Sequence, residues 1–295
     1  MTTKKKQKRS IAVPAVIICA MVLLVALAAV LVWNLDLPGD HPQETGGSGP
    51  EQQEESIYVP GSWGTSSVAD PTIPPNPYQA SDFAESDGYK TCLAGKSMHG
   101  IDVSFWQGDI DWEKVKQSGV EFVMIRLGWR GSKDGELSAD ENVYQNLQGA
   151  SEAGLLIGGY FFSQAVNTQE AREEAAYALE ILDGFPVDMP VVYDWEYLNE
   201  EARTAHVGAR TLTDCTKAFC REIEEAGYEA MIYFNPAQAH KKMYLGELTD
   251  YRFWLAMYDS EMDYPYRVDM WQYSCTGSVP GIQGDVDLNL YFIYE

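Results

Sequence analysis

Eight short apolar runs alternate with amphipathic stretches of helical period between residues 100 and 288, which predicts an α/β domain: an irregular TIM-type β/α barrel with reduced helices. Two further observations complete the fold class. An uncharged apolar segment at residues 11–33 predicts a transmembrane helix ahead of the barrel, and a stretch rich in Pro, Gly, Ser and acids predicts a disordered linker between the two. The 295 residues thus divide into a basic leader at 1–10, a membrane anchor at 11–33, a linker at 34–97 and a barrel at 98–295.

The leader carries five basic residues and no acid, which by the positive-inside rule leaves the amino terminus in the cytoplasm and everything after Trp33 outside. The 23 residues that follow it are long enough to cross a hydrocarbon core of roughly 30 Å at about 1.5 Å per residue. The apolar region of a cleaved signal peptide is usually about 7–15 residues, so an uncleaved single-pass signal-anchor is the better reading. In the linker lie eight of the 14 prolines, and the run from Pro71 to Pro77 favours extended polyproline geometry. Such a spacer holds a domain away from a bilayer, with residues 78–93 candidates for docking on it.

The chain has 44 acidic and 21 basic residues, a formal charge of −23, and −28 once the leader is set aside. A polyanion would be repelled by most of this surface, so nucleic acid is excluded as a partner. The four histidines, His41, His99, His206 and His240, show no metal-ligand spacing and there is no CxxC, so no metal site and no cofactor is expected. Cys19 falls in the anchor. Of Cys92, Cys215, Cys220 and Cys275, the pair five residues apart on a predicted helix points in different directions, whereas Cys92 and Cys275 lie near the first and last strands, where a bridge is conceivable.

Strands are expected at 100–103, 122–126, 156–161, 191–194, 230–234, 253–257, 270–273 and 286–288. Helices are expected at 112–118, 140–153, 168–182 and 211–226, each followed by a glycine stop at Gly119, Gly154, Gly184 or Gly227. In such a barrel, reactive groups gather at the carboxyl ends of the strands. Asp102 is expected at the end of the first strand, Asp194 and Glu196 at the end of the fourth, and Asp287 at the end of the last.

The run Pro190-Val191-Val192-Tyr193-Asp194-Trp195-Glu196 is the most informative of these. Alternation along a strand puts Asp194 and Glu196 on one side, and crowded carboxyls cannot all ionise cheaply. One is then held protonated as an acid while its neighbour stabilises positive charge, the division of labour used in glycoside hydrolysis. Aromatic residues at strand ends, Tyr160, Phe162, Tyr233, Trp254 and Trp271, offer platforms for sugar rings, with core or rim packing as the competing reading; Arg126 and Gln272 are placed to bind sugar or orient an acid. Trp106 and Trp129, after the first two strands, are weaker candidates.

The blocks GIDVSFWQGDIDW from Gly100, PVVYDWE from Pro190, FWLAMY from Phe253 and WQYSCTGSVPGIQGDVDLN from Trp271 resemble the Chalaropsis-type lysozymes, glycoside hydrolase family 25. The resemblance implies an irregular β/α barrel that cleaves the β-1,4 bond between N-acetylmuramic acid and N-acetylglucosamine in peptidoglycan. It implies Glu196 as general acid, Asp194 as the stabilising or acetamido-orienting carboxylate, and Asp102 and Asp287 as further acids of the groove. Trp195 and Tyr197 depart from the family's usual residues, and Tyr233-Phe234-Asn235 matches it only loosely. With the anchor, the expected place is a bacterial cell membrane with the catalytic domain outside and peptidoglycan glycan strands as partner. Two other readings are a cell-wall protein that binds glycan without cutting and a metal-dependent barrel phosphodiesterase, which a chelator would inhibit.

Overall fold

The computed structural model describes residues 70–295 except 87, 259, 260 and 295. A hairpin, β1 (Phe83–Ser86) and β2 (Tyr89–Cys92), precedes β3 (Lys96–Val103). Then follow α1 (Trp112–Gln117), β4 (Phe122–Arg130), β5 (Leu137–Ala139), α2 (Val143–Glu152), β6 (Leu156–Ser163), α3 (Thr168–Leu182), β7 (Val191–Trp195) and α4 (Ala209–Glu225). The chain ends with β8 (Ala230–Phe234), α5 (Pro236–Lys242), β9 (Arg252–Ala256), β10 (Met270–Gly277) and β11 (Val286–Ile293).

Strands β3, β4, β6, β7, β8, β9, β10 and β11 close into an eight-stranded barrel, since β3 pairs with both β4 and β11. These are the eight expected runs, six of them lengthened by one to five residues. Helices separate the strands only as far as β9, in keeping with reduced helices. Seven strands are parallel, but β11 is antiparallel to both β10 and β3. The eight residues between β10 and β11 are too few for a crossover helix, so the chain turns back on itself.

Local chemistry sets the helix boundaries. Asp111, Asn167 and Asn235 accept hydrogen bonds from the backbone N–H groups of Lys114, Glu170 and Gln238, capping α1, α3 and α5. Pro236 opens α5 where its missing N–H costs nothing. Helix α4 ends before Gly227, whose φ of 90° suits a residue without a side chain. Its buried stripe, Leu212, Cys215, Phe219 and Ile223, covers the barrel wall; each large apolar side chain so buried stabilises by about 1.5–3 kcal/mol.

Two apolar layers result. Between wall and helices lies the main core, including Ile101, Ile125, Phe161, Tyr193, Trp195, Phe219 and Leu255. Inside the barrel, Phe122, Met124, Val192, Met231, Trp254 and Met270 form the other. Gly100 is needed at its floor, because a Cβ there would fall 2.2 Å from the Phe122 ring.

Residues 70–97, assigned by composition to the linker, pack on the barrel. Ile73 is buried, Pro75 bridges to Tyr266, the Tyr78 ring lies 5.0 Å from that of Phe292, and Phe83 meets Trp271 edge-on at 5.3 Å. These apolar and aromatic residues punctuate an otherwise polar segment, and composition averages over them. None of Cys92, Cys215, Cys220 and Cys275 is in a disulfide, so the conceivable bridge between Cys92 and Cys275 is not formed. Among the described residues no helix is long and apolar enough to cross a membrane; the leader, the expected span at 11–33 and linker residues 34–69 lie outside them.

Candidate active site

Strand alternation builds the site. On β7, Val191, Tyr193 and Trp195 belong to the outer layer while Val192 belongs to the inner one, so Asp194 faces the barrel interior. Glu196 is the next residue of that parity, one step beyond the strand. The same alternation selects Asp102 on β3, Arg126 on β4, Tyr160 on β6, Tyr233 on β8, Gln272 on β10, and Asp287 and Asn289 on β11.

Asp102 anchors the arrangement. Its Oδ2 accepts from Gln272 Nε2 at 2.7 Å and from Asn289 Nδ2 at 2.8 Å. Both amides are locked from behind. Trp254 Nε1 donates to Asn289 Oδ1 at 2.9 Å, and the hydroxyls of Tyr233 and Tyr258 donate to Gln272 Oε1 at 2.8 and 2.6 Å. An indole N–H can only donate, so Asn289 must offer it the carbonyl oxygen and turn its NH2 toward Asp102. Burial nonetheless pushes the Asp102 carboxyl up to about 6 against these stabilising hydrogen bonds.

The other acids are perturbed the same way. Burial, then the charges of Glu196 and Asp102, hold the Asp194 carboxyl well above the usual range, with Arg126 opposing them. Burial and Asp102 push Glu196 up to about 7. Asp287 is raised well above its ordinary value by burial, Asp102 and Glu196. Four acids thus share one low-dielectric mouth and titrate as a group, so protons are retained near neutrality. Asp194 Oδ1 is buried with no hydrogen-bond partner among the described residues, leaving an acceptor free for a ligand. Arg126 donates from Nε to Asp140 Oδ2 at 2.8 Å and lies over the rings of Phe105 and Trp129, 4.9 and 5.2 Å from their centroids.

The structure brings together Asp102, Asp194, Glu196, Asp287, Arg126, Tyr160, Tyr233 and Gln272. Asp287 reaches the group from the beginning of its strand, not the end as expected, because β11 runs antiparallel. Phe162 is half-buried on β6, beside Asp194 in register. Trp254, expected as a sugar platform, is a buried strut beneath the acids, edge-on to Tyr233 at 4.9 Å and to Tyr160 at 6.1 Å. Trp271 is also buried, in the outer layer against Phe83 and Tyr273, so the structure does not bring it to the groove. Of the weaker candidates, Trp106 is exposed beside Phe105, with centroids 4.3 Å apart, and Trp129 is on β4 near the same ring.

Sequence reasoning missed Asn289, Tyr258 and Asp140 as site residues. Asn289 has the inward parity of Asp287, and that signal could have found it. Tyr258 lies beyond β9 and Asp140 in a loop, so no periodicity marks either.

A family model described as "Glycosyl hydrolases family 25" matches residues 101–282. Lysozyme M1 of Streptomyces globisporus is 27% identical over 204 residues, 66% of this chain and 67% of that protein. The uncharacterized protein YegX of Escherichia coli K12 is 28% identical over 228 residues, 72% of this chain and 79% of that protein. Among solved structures, the modular autolysin LytC of Streptococcus pneumoniae, in complex with a synthetic peptidoglycan ligand, matches with a TM-score of 0.59 at 25% identity. That match covers 71% of this chain and 52% of the autolysin, so this chain spans about half the length of that relative.

Proposed function

The chain belongs to glycosyl hydrolases family 25, and from that premise we propose that it is a muramidase, cleaving the β-1,4 bond from N-acetylmuramic acid to N-acetylglucosamine in peptidoglycan. Glu196 is the general acid. Its carboxyl, raised to about 7, keeps a proton at neutral pH and delivers it to the leaving glycosidic oxygen as the bond to the sugar carbon breaks.

Asp194 is the partner. The observation that carries this reading is its buried, unpartnered Oδ1, two residues before Glu196 and on the same side of the chain. A substrate 2-acetamido N–H fits that acceptor, which turns the acetamido oxygen toward the sugar carbon as internal nucleophile. Two acids on one side of the ring suit an acid with an acetamide-orienter better than an opposed acid and nucleophile. In the free groove both carboxyls favour the protonated form, but a hydrogen bond donated to Asp194 by substrate favours its anion. Substrate binding thus sends the Asp194 proton to solvent, and the anion left beside Glu196 helps hold that group's own proton where it is used. Burial and the charge of Asp102 raise Glu196, and Asp102 in turn is fixed by Gln272 and Asn289. Tyr160, Phe162 and Arg126 line the path of the sugar.

The test is mass spectrometry of purified cell wall after digestion. Fragments with muramic acid at the reducing end are expected; reducing-end glucosamine would overturn the assignment.

Residues 11–33 anchor this enzyme in the bacterial cell membrane, amino terminus in the cytoplasm and barrel outside. The uncharged span and its five preceding basic residues support this reading. Added protease should digest the barrel of intact cells stripped of wall and spare an amino-terminal tag; the reverse pattern would reject the orientation.

A further inference from the structure

We propose that Gln164 and Gln238 are positioning residues that extend the sheet by one residue on either flank of β7 and so hold the backbone that carries Glu196. The inference rests on the reading of Glu196 as the general acid. It starts from where the sheet stops: the ladder to β6 ends at the pair Ser163 and Trp195, and the ladder to β8 ends at Asp194 and Tyr233. Glu196 lies beyond both, although its carboxyl has to stay fixed to within a fraction of an ångström for proton transfer.

Two buried carboxamides replace the missing strand pairing. On the β6 side, Gln164 Nε2 donates to Glu196 O at 3.2 Å and to Ser163 O at 2.9 Å, while Gln164 Oε1 accepts from Thr204 Oγ1 at 2.7 Å. On the β8 side, Gln238 Nε2 donates to Trp195 O. Carbonyl oxygens only accept, so each amide can face them only with its NH2; the flipped amide would set oxygen against oxygen. A buried carboxamide is costly unless it is bonded, a cost Gln238 still bears at Oε1, which has no hydrogen-bond partner among the described residues, and an apolar side chain would fill either position without it.

The frame behind the amides is itself tied down. Arg203 Nη1 donates to Gln164 O at 2.9 Å, its guanidinium grips both oxygens of Glu170 at 2.7 and 2.8 Å, and its backbone N–H donates to Ser132 O at 2.8 Å. The loops after β4, β6 and β7 are thereby joined at one point. Gln238 sits in the first turn of α5, its N–H capped by Asn235.

The test uses the full chain in detergent, with Gln164→Leu, Gln238→Leu and Thr204→Val. Turnover and KM on purified wall are measured across pH, and the Glu196 carboxyl is titrated by NMR on 13C-glutamate-labelled protein, its signal assigned with Glu196→Gln. In Gln164→Leu, kcat should fall about 10²-fold while KM holds within about twofold, the loss expected of misplacement and not of lost binding. Released toward water, Glu196 should titrate lower, and the alkaline limb of activity should move to lower pH with it. The groups whose charge reaches Glu196, namely Asp102, Asp194, Asp287, Tyr233 and Tyr258, are unchanged in these variants.

Lowered thermal stability with unchanged kcat and unchanged Glu196 titration would reduce both glutamines to structural residues and overturn the proposal. If wild-type protein leaves wall intact, the muramidase reading fails, and the NMR titration still decides whether Gln164 positions Glu196. Should Gln164→Leu not fold, Thr204→Val, which frees only the Gln164 oxygen, must show a smaller shift in the same direction; no shift there rejects the idea.

Discussion

Asp287 stands directly opposite Asp102 in antiparallel register, the second residue of the last barrel strand against the next-to-last of the first. Two carboxyls so paired cannot both ionise cheaply, and each is raised by burial and, for Asp287, by the charge of Asp102. The reversed strand brings an acid to the groove from the opposite chain direction, beside Asp194 and Glu196 of β7.

Activity should be highest on the acid side of neutrality and fall as pH rises through about 7, where burial and Asp102 place the Glu196 titration. Glu196→Gln, which has no proton to give, should lower turnover by at least about 10²-fold and abolish that limb. Rates of wall solubilisation from pH 4 to 9 check both; a variant with near-wild-type turnover would assign the acid elsewhere.

Stability has a pH dependence of definite sign. Glu196 binds its proton more tightly folded, at about 7, than at its ordinary value of 4.5, so the unfolded chain ionises first and stability is lost as pH rises between those values. The loss is about 3 kcal/mol at most. In Glu196→Gln this contribution vanishes, and urea midpoints at pH 5 and pH 8 should differ less than in wild type.

Trp254→Phe keeps an aromatic ring, though a smaller one than the indole, and removes the N–H that fixes Asn289. A buried acceptor left unpaired costs about 1–3 kcal/mol, and the freed amide no longer has to point at Asp102. The expected outcome is a lower urea midpoint together with reduced turnover, whereas a sugar platform would have shown itself mainly as a raised KM.

Protein beginning at Asp70 should be more stable than protein beginning at Met98. The shorter chain lacks buried Ile73 and half-buried Tyr78 and Phe83, the last two packed on Phe292 and Trp271, and a large apolar side chain fully buried is worth about 1.5–3 kcal/mol. Thermal melts of the two proteins measure the difference; equal melting temperatures would show the segment to be dispensable.

Much of this was legible in the chain itself. Apolar runs of strand length between amphipathic stretches give the eight barrel strands, because burial on one or both faces must be written locally as hydrophobic period. Spacing by two put Asp194 and Glu196 on one side. What alternation cannot convey is direction: Val286 to Ile293 reads the same whether it runs up or down the barrel, and only closure against β3 decided that it runs antiparallel. Nor can residue type reveal layer. Trp254 and Trp271 look alike in sequence, yet one braces the interior beneath Asp102 and the other packs outside under Phe83. Long-range hydrogen bonds such as Gln164 to the Glu196 carbonyl join residues distant in the chain, so they leave no local trace. The sequence determined the strands and the acids by itself; the closed sheet decided which side chains meet, because those contacts exist only once its ends are paired.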